Sequence, residues 1–278
     1  MPNVCILTDS TAQFTQSRFP GFERVHLIPF DIQNDERREG RSLPGSAFIQ
    51  RRLVAPSPQE FVRFYARLGH DYDSILVLTL SSLLNPTLSH ARAALEQYSS
   101  GARVEVIDSE TTAIGLGMLV QIAAQAASEG ASLKEIDRQM RVSIPRVYLL
   151  LCIPELTYLA NAGHMDYAQA LVGEMMGILP IFTLEEGRLV SLEKVRTPRH
   201  LFEAFQDFMG EFEAPVEIAL INSTGRDSLR TSPLRLFLQD TFPETQFSEH
   251  PIQPHLAALF GPRSIGLVIL DALDRKRR

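Results

Sequence analysis

The chain has 278 residues, 45% of them hydrophobic and 22% charged, a balance that lets a core form without disulfides or metals. Its 27 basic and 33 acidic residues give a formal net charge of −6, which argues against a general nucleic-acid binder, because neutralising phosphates takes a basic footprint. The two cysteines, Cys5 and Cys152, each lie in an apolar run, so they read as buried reduced thiols rather than a disulfide framework or a cysteine-rich metal site.

The first half alternates apolar runs with helical patterns. Val4–Leu7 reads as a strand ending at Thr8-Asp9-Ser10-Thr11, and Val25–Ile32 as a second. Pro58–Leu68 spaces Phe61, Phe64, Tyr65 and Leu68 as a helix face, with Ser57 as its N-cap. Ile75–Leu80 is a third strand ending at Ser81-Ser82, and helix Thr87–Tyr98 follows. Val104–Ile107 is a fourth strand, ending at Asp108-Ser109. Helices Leu116–Ala127, stopped by Glu129-Gly130, and Leu133–Val142 lead to a fifth strand at Val147–Ile153. Continuous apolar runs suit strands buried on both faces, and β-α alternation predicts a parallel sheet with right-handed crossovers.

The second half reads differently. Pro154–Leu179 is mostly helical with a break near Ala162-Gly163. Ile181–Leu184, the turn Glu185-Glu186-Gly187 and Arg188–Val195 form a hairpin. Thr197 caps a helix to Phe208 with Pro198 in its first turn, and Val216–Ile221 and Ile265–Leu270 are strands. A hairpin among alternating elements predicts a mixed sheet. The expected organisation is therefore two α/β domains: 1–154, mainly a parallel three-layer sheet, and 155–278, with a mixed sheet. The terminal Arg275, Lys276, Arg277, Arg278 run reads as a solvated tail. No run approaches the ~20 apolar residues of a membrane helix. No signal peptide is read at residues 1–9, so a cytoplasmic protein is expected.

Ligands of open parallel sheets bind outside the carboxyl ends of the strands. Here those ends carry Asp9 and Ser10, Ser81 and Ser82, and Asp108 and Ser109, which should converge on one rim, although the same residue types also cap helices. Dinucleotide, P-loop, zinc-protease and nucleophile-elbow motifs are absent. Gly115-Leu116-Gly117 reads as helix packing, and His26, in an apolar run, as packed rather than catalytic. Arg196, between a strand and a capped helix, could face an anion or make a salt bridge.

Taken in order, Thr8-Asp9-Ser10-Thr11, Ala55-Pro56-Ser57-Pro58, Leu80–Thr87, Val106–Ser109, Leu156–Leu159, Leu179-Pro180-Ile181, Lys194–Thr197 and Gly261-Pro262 resemble the DegV family over nearly the whole chain. The resemblance implies two α/β domains with a fatty acid between them, its carboxylate at the inter-domain cleft and its acyl chain in an apolar tunnel, expected along Leu156–Ile181. It also implies a non-catalytic carrier that presents the acyl chain to a separate fatty-acid kinase, with no cofactor and no metal.

Several positions depart from the family pattern. Leu53-Val54 replace Thr-Ser, Asn85-Pro86-Thr87 replace Ser-Gly-Thr, Ala162-Gly163-His164 replace Gly-Gly-Arg, and Ala258 or Leu259 stands where a late His is expected. The losses fall on head-group donors, and a buried carboxylate needs donors. An apolar tunnel needs only apolar lining, worth roughly 0.8 kcal/mol per CH₂. The expected ligand residues are Asp9, Ser10, Ser81, Ser82, Asn85, Asp108, Ser109, His164 and Arg196, with Leu53 and Leu259 at altered positions. Two other readings compete: an enzyme acting on a small phosphorylated or carboxylated substrate at the strand-end rim, and a ligand-free protein-interaction module.

Overall fold

The computed structural model describes residues 2–35, 50–99, 101–223 and 232–272; the expected basic tail lies outside them. In chain order come β1 (Val4–Asp9), β2 (Val25–Ile28), β3 (Asp31–Asp35), β4 (Gln50–Val54), α1 (Pro58–Asp71), β5 (Ser74–Thr79), α2 (Thr87–Leu95) and β6 (Arg103–Asp108). Then follow α3 (Ala113–Ser128), α4 (Leu133–Ser143), β7 (Val147–Cys152), α5 (Leu156–Asn161) and α6 (Tyr167–Met175). The rest comprises β8 (Leu179–Glu185), β9 (Arg188–Val195), α7 (Pro198–Gly210), β10 (Glu217–Asn222), α8 (Ser232–Thr241), β11 (Gln246–Pro251), α9 (Pro254–Phe260) and β12 (Ile265–Leu270).

Strand alternation sorts the side chains into layers. The first sheet is parallel, in the order β2-β1-β5-β6. Its Cys5, Leu7, Ile75 and Val77 face α1 and α2, where Phe61, Tyr65, Leu88 and Ala91 are buried. Its Val4, Ile6, Leu76 and Leu78 face α3 and α4. The second sheet runs β11-β10-β12-β7-β8-β9 and is mixed: β10 and β11 are parallel, the other neighbours antiparallel. Leu149, Leu151, Ile221 and Val268 face inward onto the same α3–α4 layer. The opposite face, with Leu150, Leu220, Leu267 and Ile269, packs on Leu201, Phe205 and Leu234 of α7 and α8. The three-layer parallel sheet and the mixed second sheet expected from the sequence are both present. They share a central helical layer.

That position explains α3. Its buried residues cover every side of the helix, from Ala113 to Ala127, as a helix enclosed between two sheets requires. Gly115 and Gly117 allow the approach: a Cβ at Gly117 would lie 2.0 Å from the Gln13 backbone oxygen, and one at Gly115 2.4 Å from Thr111 Oγ1.

Local signals hold at the expected places. Ser57 and Glu60 form a reciprocal capping box on α1, and Thr197 Oγ1 accepts the His200 amide under Pro198. The β8–β9 turn has positive φ at Glu186 (49°) and Gly187 (80°), the twist that suits a two-residue hairpin. Cys5 and Cys152 are buried and free, with thiols pushed up to about 12 by burial.

Two expectations are corrected. Val25–Ile32 is not one strand: β2 stops at Ile28, and after Pro29, which has no amide to donate, β3 leaves the sheet and pairs antiparallel with β4. Val147–Ile153 is not a fifth strand of the parallel sheet. β7 lies in the mixed sheet, antiparallel to β12 and β8, because α3 and α4 carry the chain across to it. An apolar run records burial on both faces and is silent about which sheet supplies it.

Candidate functional site

The carboxyl ends of β1, β5 and β6 converge, as adjacent parallel strands must. Most of their polar groups are engaged by the protein itself. Asp9 is fully buried: Oδ1 accepts the Thr11 amide (3.0 Å) and hydroxyl, and Oδ2 accepts the Leu80 amide (2.8 Å). Burial raises the pKa of its carboxyl, and those hydrogen bonds oppose the rise. Asp108 accepts the amides of Ser82 and Glu110. Ser109 Oγ donates to the Thr111 carbonyl (3.2 Å). Ser81, also buried, donates to the Gly187 carbonyl (2.7 Å) in the β8–β9 turn. Ser10 Oγ accepts the Phe30 amide (2.8 Å) and lies 3.3 Å from His255 Nε2 of α9.

One turn further on, the chain enters a cavity. Residues 81–85 form a tight turn in which the Leu84 and Asn85 amides donate to the Ser81 carbonyl. Beyond it, a cavity of about 460 Å³ opens between β4, the start of α2, the end of α5 and α9. Leu53, Val54, Leu84, Ala160, Ala258 and Leu259 supply apolar lining, while Arg51, Arg52, Asn85, His90, Tyr158 and Asn161 supply polar groups. The expected residues Leu53, Asn85 and Leu259 therefore meet in one place, although they are far apart in sequence. Asn85 Oδ1 accepts the Thr87 hydroxyl (2.8 Å).

His164 follows the cavity-lining Gly163. Its ring is partly buried, which lowers its pKa against a hydrogen bond with the Leu84 backbone, and its Nε2 has no partner among the described residues. Arg196 does not join the group. It is exposed and follows β9 at the end of the hairpin opposite the Gly187 turn. The segment Leu156–Ile181 lines the cavity only through Tyr158 and Ala160–Gly163. Met175 and Met176, within that segment, are 75% and 53% exposed, because α6 buries only Ala170.

Arg51, Arg52, Tyr158, His90 and His255 were not among the expected residues. A signal for the arginines exists: they directly precede Leu53-Val54 in a strand whose side chains alternate. Tyr158 lies inside the Leu156–Leu159 motif, while no comparable signal marks His90, which enters with the start of α2.

Among the described residues no His/Cys/Asp/Glu group could hold a metal ion, and no helix is long and apolar enough to cross a membrane.

Comparison with known proteins agrees with this architecture. The pattern of the family described as "Uncharacterised protein, DegV family" matches residues 3–272. A DegV domain-containing protein of Staphylococcus aureus strain COL is 27% identical over 280 residues, covering 97% of this chain and 99% of the relative. A fatty-acid-binding DegV family protein from Thermus thermophilus superposes with a TM-score of 0.80 at 22% identity, covering 97% of this chain and 100% of that one. The Streptococcus pneumoniae fatty acid kinase (Fak) B3 protein, loaded with linoleic acid, gives 0.81 at 17% identity, covering 98% and 100%. With the motifs in order, both sheets in place and a family match spanning all but the ends, the chain belongs to the DegV family.

Proposed function

We propose that this protein binds a long-chain fatty acid or a closely related lipid in the cavity beside β4. We further propose that it is a non-catalytic carrier presenting the bound lipid to a separate kinase subunit. One observation carries the reading: a cavity of about 460 Å³ whose walls combine Leu53, Leu84 and Leu259 with a few polar groups at Asn85, Tyr158 and the arginines. Walls that combine apolar and polar groups suit an amphipathic small molecule, whose tail and head group need different surroundings. The solved relatives named above support the choice of a fatty acid, and the Fak B3 protein supports the choice of a kinase as partner. The head-group contacts differ from the family pattern, since Leu53, Val54 and Leu259 offer no side-chain donor. A division into two α/β units, with β7 belonging to the second, and a cytoplasmic location are part of the same proposal.

Mass spectrometry of the gently purified protein, native and then after organic extraction, tests the reading. A stoichiometric fatty acid is the expected result. No ligand, together with failure to take up added fatty acids, would refute it.

A further inference from the structure

We propose that segment 273–278 of this chain folds back into a groove between α3 and α4, as a strap that joins β12 to both helices. The groove has a volume of about 490 Å³ and shares no lining residue with the cavity beside β4. Its floor is apolar: Ile122 and Ala126 of α3, Val142 of α4, and Val216 and Leu270 from the second sheet. Val142 and Val216 are 48% and 49% exposed. A covering side chain would remove that surface from water.

The chain itself leads into the groove. Arg146, which lines it, donates from Nε to the Asp271 carbonyl (2.9 Å), and the Asp271 amide donates to the Arg146 carbonyl (3.0 Å). The Val216 amide donates to the Leu270 carbonyl (2.8 Å). These contacts hold the chain at the groove up to Ala272, beyond which residues 273–278 lie outside the described residues. Six extended residues span about 20 Å. From Arg146 to Glu135, along the short 3₁₀ turn and α4, the helical rises give about 18 Å. The segment therefore matches the length of the groove.

Charge sets its direction. Starting at Arg146, the groove presents Val142, then Arg138, then Glu135 with Glu129 beside it at the end of α3. The segment reads Leu273, Asp274, then Arg275-Lys276-Arg277-Arg278. In that order leucine meets the valine, the acid meets Arg138, and the basic run meets the two glutamates. Those groups have capacity to spare. Glu129 and Arg138 make no salt bridge among the described residues. Gln125 occupies only Oε1 of Glu129, and the Ser132 cap only Oε2 of Glu135.

Disulfide trapping in the full chain tests the strap. Leu273→Cys is paired in turn with Val142→Cys and with Gln139→Cys in the groove. The control partner is Leu236→Cys on α8, which packs on the outer face of the second sheet and is 67% exposed there. Cys5 and Cys152 are buried and stay out of the exchange. Under mild oxidation both groove pairs should close within one chain at least about tenfold faster than the α8 pair, because docking raises their effective concentration. Adding Glu129→Lys, or about 1 M salt, should slow closure about two- to threefold. Val142 and Gln139 are exposed, and thermal melts confirm that each variant folds. Equal rates for groove and α8 pairs overturn the proposal. Disulfides formed between two chains overturn it as well, since the groove would then serve a second copy. Closure indifferent to both Glu129→Lys and salt overturns it too, because the order of charges is what directs the segment.

Discussion

Asp9→Ala separates a structural role for the strand-end rim from a ligand-binding one. Asp9 is fully buried and receives three hydrogen bonds, from the amides of Thr11 and Leu80 and the Thr11 hydroxyl. Truncation leaves two buried amides without acceptors; the hydroxyl can rotate elsewhere. At about 1–3 kcal/mol for each buried group left unsatisfied, the loss should fall between about 2 and 6 kcal/mol. Part of it returns, because the carboxylate no longer has to be buried. Asp9→Asn keeps one acceptor oxygen, so it should cost about half as much. The pH dependence has a definite sign. Burial raises the folded pKa of Asp9, so the folded protein holds this proton more tightly than the unfolded chain. The contribution of Asp9 to stability is then greatest below the unfolded value, about 3.9, and declines as pH rises through the raised folded value. Asp9→Asn should remove that decline. Urea unfolding from pH 4 upward measures both effects, and lipid capture by the folded variants measures the third. Unfolding free energies within about 0.5 kcal/mol of the parent would refute the structural role. Loss of capture at unchanged stability would make Asp9 a ligand residue instead.

Three further outcomes follow from the same geometry. Gly117→Ala should destabilise the protein by about 1–3 kcal/mol, because the new methyl meets backbone of the Gln13 loop at 2.0 Å; Gly210→Ala, at the end of α7 with open space around it, should be neutral or stabilising in the same thermal melts. Saturated fatty acids of increasing length should gain roughly fourfold in affinity per CH₂, from about 0.8 kcal/mol each, until the cavity is filled; a series without a length dependence would place the tail outside it. Cys5 and Cys152, whose thiols burial pushes up to about 12, should resist a thiol reagent at neutral pH until the chain unfolds, and rapid labelling of the native protein would contradict their burial.

What the sequence disclosed depended on whether the determining physics was local. Apolar runs located β1, β5, β6 and β12 because both faces of each are covered. The Ser57–Glu60 box, the Thr197-Pro198 start and the Glu186-Gly187 turn are short-range hydrogen-bonding or dihedral devices. β11, with the sequence Gln246–Pro251, escaped because an edge strand needs little apolar content. Short α9 and the β3–β4 pair escaped because tertiary packing, more than periodicity, holds them. At the site, Leu53, Asn85 and Leu259 could be singled out only as departures from a family pattern; that they line one cavity is a property of how β4, α2 and α9 pack. Arg196 shows the converse. Its position before a capped helix was legible, but the direction of the hairpin that carries it away from the Gly187 turn was not.

The rim and the cavity divide the work between hydrogen bonds and apolar shape. Strand ends rich in Asp, Ser and Thr suggest a ligand site because they offer many donors and acceptors. Here the Ser81 hydroxyl donates to the Gly187 carbonyl, and Ser10 meets both Phe30 and His255. These contacts hold the hairpin of the second sheet and α9 against the end of the first sheet. Gly187 can make that approach only without a side chain, since a Cβ there would sit 2.5 Å from Ser81 Oγ. A polar group committed to such a contact stabilises the relative placement of the elements around it and has less capacity left for a ligand. The cavity lies one turn beyond, where the Ser81 carbonyl accepts the Leu84 and Asn85 amides and sets the direction in which Asn85 leaves the rim. Its walls come from β4, α2, α5 and α9, elements from both halves of the chain. Of the rim contacts, Ser10–His255 reaches one of these walls directly, α9. Hydroxyls that read as head-group donors thus also serve the fold, tying the β8–β9 hairpin and α9 to the end of the first sheet.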